Sequence, residues 1–158
     1  MKNNKGFTLI ELLATLAILS IIMVMAVPNV IGIVRRNKNK TYVEDAKKIV
    51  SLAEYKVRSS PTYRPPSGQS YCFHLNFLGA TELEKAPDGG EYDNDYSYVK
   101  VINSGSEYRY DVQIVEKKGS RYSGVLSTSS TNLFKDNYST LIKRSGFPNC
   151  SGNKSFKS

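Results

Sequence analysis

The sequence predicts an α+β fold: a long N-terminal helix, membrane-spanning in its first half, packed on a small antiparallel β-sheet head. Three observations predict it. Residues Phe7 to Val27 form an apolar run of 21 in which only Thr8, Glu11, Thr15 and Ser20 are polar. Tyr42, Ala46, Ile49, Ala53 and Val57 then recur at helical spacing and make one stripe. Beyond residue 95, short stretches rich in Tyr, Val and Ile lie between turn signals. A chain of 158 residues suits one domain with an appendage. Two cysteines and one histidine exclude a multi-cysteine scaffold or an iron–sulfur cluster. A net charge of +8 favours contact with anionic material: nucleic acid, phospholipid or a cell-wall polymer.

As a helix, the apolar run reaches about 31 Å, the thickness of a bilayer core. A helix apolar on every side needs burial in lipid or protein, and a chain this short has no core able to surround it. The run therefore reads as a membrane span. It is too long for the apolar part of a secretory signal, and Ala26-Val27-Pro28 is not a cleavage site of that kind. The small residue placed for cleavage is Gly6, after the charged leader Met1-Lys2-Asn3-Asn4-Lys5. A cut there discards the leader, keeps the span and creates an α-amine on Phe7. Glu11 costs about 3 kcal/mol deep in hydrocarbon. It either sits at the bilayer edge or finds a cationic partner. The new amine is such a partner, within the same helix or on a neighbouring copy, where a buried ion pair sets register.

The stretch Lys5-Gly6-Phe7-Thr8-Leu9-Ile10-Glu11, continued by the apolar run to Pro28, resembles the class III leader and N-terminal motif of type IV prepilins and type II secretion pseudopilins. The resemblance implies a leader (1–6), a transmembrane and filament-core helix (7–27), an amphipathic continuation (28–60) and a head (61–158). It implies that a prepilin peptidase cuts between Gly6 and Phe7 and N-methylates Phe7. It also implies that Glu11 neutralises the Phe7 amine of an adjacent subunit. The partners implied are other pilin subunits in a homo- or heteropolymer, the pilus assembly machinery, and the membrane before assembly. No cofactor and no enzymatic activity are implied.

Pro28 removes a helix hydrogen bond and clashes with the preceding turn, at about 3 kcal/mol. With Gly32 one turn later it marks a kink, as the family's proline does, or else a helix end at the membrane surface. Arg35, Arg36, Lys38 and Lys40 follow the span. A positive-inside count against Lys2, Lys5 and the α-amine would place the head in the cytoplasm. The specific motif overrides that count and places the head outside. The basic cluster is then a solvated face, a contact for lipid phosphate or wall polymer, or a contact for nucleic acid.

Ser59-Ser60-Pro61 ends the helix. Residues 61–95 read as a connector rich in proline and glycine, with a short helical turn at Leu75 to Leu83. Strands are expected at Tyr96–Ile102, Glu107–Glu116 and Arg121–Ser127, and a further one in the tail at Tyr138–Arg144. In the second, Tyr108, Tyr110, Val112 and Ile114 share one face. The result is a meander with one apolar face, covered by the stripe of the helix.

An extracytoplasmic head favours a Cys72–Cys150 disulfide. Closing so long a loop contributes about 4 kcal/mol in the chain-entropy model. The alternatives are two free thiols, a zinc site from Cys72, His74 and Cys150, or a Cys72–His74 catalytic dyad. Asp88, Glu91, Asp93 and Asp95 are either a solvated turn or a calcium loop, although Tyr98 stands where the calcium pattern needs glycine. The function expected is that of a structural subunit polymerising into a surface filament. The alternatives are a pseudopilin of a secretion or DNA-uptake apparatus, and a single-span protein whose basic surface binds nucleic acid.

Overall fold

A computed structural model describes residues 7–80, 83, 85–135 and 140–157. Helix α1 runs from Leu9 to Ser59 and contains Pro28 in its interior. The reading of Pro28 as a helix end is therefore corrected: the backbone stays helical through it and through Gly32. The chain forms two compact units, divided between Asn37 and Lys38.

The first unit, as described from Phe7, is helical from Leu9 onward, and its apolar side chains are exposed along the whole length. The second unit is the head. The expected stripe of α1 is its inner wall: Tyr42, Ala46, Ile49, Ala53 and Val57 are all buried, joined by Val43 and Val50. They pack with Val99, Val101, Val112, Ile114, Val125 and Leu133 in one apolar cluster. Each fully buried aliphatic side chain there contributes about 1.5–3 kcal/mol.

The sheet facing this stripe contains β1 (Ser70–His74), β2 (Glu91–Tyr92), β3 (Tyr98–Asn103), β4 (Tyr108–Lys118), β5 (Arg121–Ser129), β6 (Ile142–Lys143) and β7 (Lys154–Phe156). The order is β6-β5-β4-β3-β1-β7, with β2 paired to β4. The three strands β3, β4 and β5 form the expected antiparallel meander. Gly119 and Ser120 close its second hairpin, and Gly119 supplies the positive φ of +60° that a two-residue loop needs at this position. Helix α2 (Leu75–Leu78) is shorter than the turn expected at Leu75 to Leu83 and ends at Gly79. Of the strand expected at Tyr138–Arg144 the described residues hold β6; Tyr138 and Ser139 lie outside them.

Two differences from the sequence reading matter. The connector holds a strand, β1, which sits between β3 and β7 in the sheet. Its partner β7 runs parallel to it and comes from the C-terminal tip. Strand β4, moreover, is buried on both faces, since Gln113 and Val115 are as inaccessible as Val112 and Ile114. Gln113 Nε2 donates to the carbonyls of Tyr96 and Pro148, both at 2.8 Å. The tail thus straps the face of β4 that points away from the helix. A register shift opposite Gln113 interrupts the β4–β5 ladder. The Ser127 amide beside it donates to Gln113 Oε1 at 3.3 Å, so one buried amide side chain satisfies both the strap and the bulge.

Candidate functional site

The N-terminal unit is built to lie in an apolar medium. Within α1, Thr15 Oγ1 donates to the Leu12 carbonyl, Ser20 Oγ to Leu16 and Asn29 Nδ2 to Met25. These three polar side chains thereby bond to their own helix, as a lipid-exposed segment requires. The stretch is long and apolar enough to cross a membrane, and none of its most apolar window is buried by the protein itself.

Glu11 has a role the sequence reading missed. Thr8 caps the helix and Glu11 is its third residue. The Thr8 amide and hydroxyl both donate to Glu11 Oε2, at 2.9 and 2.8 Å, and the Glu11 amide returns a 3.4 Å bond to Thr8 Oγ1. This is a capping box, and its signal, Thr-x-x-Glu before an apolar run, is present in the sequence. Among the described residues, Glu11 Oε1 accepts no hydrogen bond, so half of the carboxylate is left for a partner. The proposed cleavage residue Gly6 lies outside the described residues; Phe7 is exposed.

The candidate metal and catalytic residues do not assemble. Cys72 and Cys150 are joined in a disulfide, with Cα atoms 6.1 Å apart. No thiolate then remains for the zinc site or for the Cys72–His74 dyad, and both readings are corrected. His74 does share a strand face with Cys72, but its Nδ1 is held 2.9 Å from the Asn94 carbonyl. That bond needs the proton on Nδ1, because a carbonyl can only accept. The acidic loop also disperses. Asp88 pairs with Lys38 at 2.8 Å, and Asp95 with Lys157 at 3.1 Å. Asp93 accepts the amides of Asp95 and Tyr96, and Glu91 is exposed on β2. Among the described residues no three His, Cys, Asp or Glu stand close enough to hold a metal ion. Lys38 belongs to the basic cluster, so one of its four cations is spent inside the head.

What the loop does instead is lock onto α1 through a buried carboxylate. Glu116 is 1% exposed. It accepts the Tyr42 hydroxyl, the Asp88 amide at 3.1 Å and the Gly90 amide. A Cβ on Gly90 would lie 2.6 Å from Glu116 Oε1, so glycine is needed for the carboxylate to reach that amide. Tyr42 also touches Ser123 Oγ at 3.0 Å and Asp88 Oδ2 at 3.3 Å. One turn on, the buried Asp45 accepts Tyr92 at 2.7 Å and Lys48 at 3.2 Å. The signals for these groups were periodic: Glu116 continues the inward face of Val112 and Ile114, and Asp45 lies within the helix stripe.

These contacts displace the titrations in defined directions. The hydrogen bond from Lys38 holds the Asp88 carboxyl below the usual range. Asp88 therefore adds stability above about pH 4 that is lost as pH falls through its folded value. Burial, then the hydrogen bonds to Glu116 and Asp45 respectively, push the Tyr42 and Tyr92 hydroxyls well up. Each stays neutral in the folded head while the unfolded chain ionises near about pH 10, so their contribution is complete below that pH and fades above it. Tyr92→Phe is expected to flatten the fall in melting temperature above about pH 10, because one fewer proton leaves on unfolding. Thermal melts across a series of alkaline buffers check this; an unchanged slope would contradict it.

The comparisons with known proteins bear on both units. Residues 1–27 match the family model described as the prokaryotic N-terminal methylation motif. The chain is similar to the major component of the type IV wide pilus of Thermus thermophilus, 32% identical over 117 residues, an alignment covering 58% of this chain and 88% of that protein. No solved structure matches the chain.

Proposed function

This chain belongs to the type IV pilin family, and on that premise we propose that it is a pilus subunit, cleaved after Gly6 and polymerised through its N-terminal helix into a surface filament. The observation that carries the reading is the exposed apolar helix of the first unit, in which Thr15, Ser20 and Asn29 each bond a carbonyl of the helix itself. Such a surface suits lipid before assembly and the apolar helices of other subunits afterwards. Glu11, whose Oε1 accepts no hydrogen bond among the described residues, is then the group that meets the Phe7 amine of the next copy. The head faces outward across the membrane, and the Cys72–Cys150 disulfide fits that oxidising side. The work of the subunit is structural: the helix stores it in the membrane and then glues it into the polymer.

Cleavage is tested on Gly6→Val, in which a branched side chain replaces the residue before the cut. The variant is expected to stay in the membrane at its full length and to yield no filaments. Mass spectrometry of wild-type filaments should read an N-terminus beginning at Phe7 and heavier by one methyl group. Filaments built from subunits that still begin at Met1 would end the proposal. Electron microscopy of overproducing cells separates a long fibre from the short assembly of a secretion pseudopilus.

A further inference from the structure

A groove of about 650 Å³ lies on the head at the edge of the sheet, between the first residues of β5, which run past β6, and the segment 144–147 that follows β6. It is lined by Tyr96, Arg121, Tyr122, Arg144, Ser145 and Phe147, among others. Its volume falls in the range of small-molecule sites, about 300–1,000 Å³. The three rings are half-buried and the two arginines and the serine are exposed at the rim. Tyr96 meets Tyr122 edge to face, with centroids 5.7 Å apart, so the two rings make walls at an angle. Lys117 stands 5.8 Å from the Tyr122 ring, and Lys143 pairs in register with Gly124 beside the groove.

Charge is what sets this groove apart. Among the described residues no carboxylate forms an ion pair with Arg121 or Arg144. The neighbouring acids of the head are already engaged: Asp88, which also touches Ser123 of the lining, by Lys38; Asp95 by Lys157; and Glu116 by Tyr42 and two amides. Both arginines thus line a groove that also holds aromatic walls, and among the described residues neither is held by an ion pair. Arginine presents its donors in a planar fork that matches a carboxylate or phosphate. Tyr and Phe offer flat apolar area with a polar edge, and the serine hydroxyl adds an adaptable partner.

The geometry points to a binding site for a pyranose unit carrying an oxyanion. The apolar face of the sugar ring lies against one of the aromatic walls, its hydroxyls meet Ser145 and the tyrosine hydroxyls, and its carboxylate or phosphate is met by Arg121 and Arg144. A nucleic-acid strand fits less well. It needs a channel that tracks a backbone past rings on which successive bases stack, whereas this groove holds one unit and its tyrosines cross instead of lying parallel. The site is separate from the assembly helix, so its test does not depend on filament growth.

Calorimetry on the full-length chain in detergent micelles provides that test, with hexagalacturonate and mannose 6-phosphate as probes and maltohexaose and a ten-residue oligothymidylate as comparisons. At least one anionic sugar is expected to bind, and which one binds tells carboxylate from phosphate. Arg121→Ala and Arg144→Ala are each expected to weaken that binding at least fivefold, while Arg58→Ala on α1 leaves it unchanged. The proposal is overturned if neither anionic sugar binds, if the two arginine variants bind like wild type, or if maltohexaose binds as tightly. Tighter, arginine-dependent binding of the oligothymidylate would also overturn it in favour of nucleic acid.

Discussion

Cells producing Glu11→Val are expected to release less than about a tenth of the wild-type amount of sheared filament while holding the subunit in the membrane at an undiminished level. The two readouts separate because they rest on different physics. Insertion depends on the apolar run, and replacing the carboxylate by valine makes that run more apolar. In the proposed polymer, the Phe7 amine of one copy enters a dry bundle of helices, where an unanswered charge costs about 3–5 kcal/mol, enough to remove most of the polymer. Valine also deletes the capping box with Thr8, worth about 1 kcal/mol, so it changes two things at once. Glu11→Gln resolves them. A carboxamide still accepts from the Thr8 amide and keeps the helix start, but carries no charge. Glutamine should therefore fail to assemble almost as completely as valine. If Glu11→Gln fibres form at wild-type yield, the carboxylate serves the helix start alone and the intersubunit ion pair is wrong.

The parts of this architecture readable in advance are those that repeat. The stripe Tyr42, Ala46, Ile49, Ala53, Val57 and the meander β3–β5 each announce themselves through a period, and each is found where the period places it. Elements held by contacts distant in sequence are not legible in this way. Strand β1 has only five residues between proline- and glycine-rich flanks, and it becomes a strand because β3 and β7 bracket it. Strand β7 is Lys-Ser-Phe in a polar tail. Its reason to pair is Phe156, whose ring lies 5.0 Å from Phe77, 5.3 Å from Phe73 and 5.5 Å from Tyr63 in an aromatic cluster that closes the end of the head. Gln113 looked like the solvent side of β4 until the tail covered it. The cysteines illustrate the same limit: sequence supplied two thiols and a compartment, and the fold supplied the 6.1 Å approach that removed both metal and dyad readings.

Glu116→Ala is expected to destabilise the head by about 3–5 kcal/mol, the range for removing one member of a buried charged network. Three donors converge on this carboxylate, and alanine leaves the amides of Asp88 and Gly90 without it in a part-buried site, while the Tyr42 hydroxyl keeps only Ser123 and Asp88. A buried donor left unpaired costs about 1–3 kcal/mol, so the loss is larger than the removal of side-chain volume alone would give. Glu116→Gln is not a safe substitute. Its amide nitrogen would face one of the backbone N–H groups donor to donor, and about 1–3 kcal/mol should still be lost. The effect is measurable on the intact chain. All eleven tyrosines lie at or beyond position 42 and there is no tryptophan, so near-ultraviolet dichroism of the tyrosines reads the head and not the apolar helix segment before it. Tyr42→Phe provides the internal control. It removes one of the three donors, so the double variant should lose less than the sum of the two single losses, by about 1 kcal/mol. Strict additivity would mean that Tyr42 and Glu116 stabilise the head independently, and the loop at Asp88 to Gly90 would then need another anchor to hold it against α1.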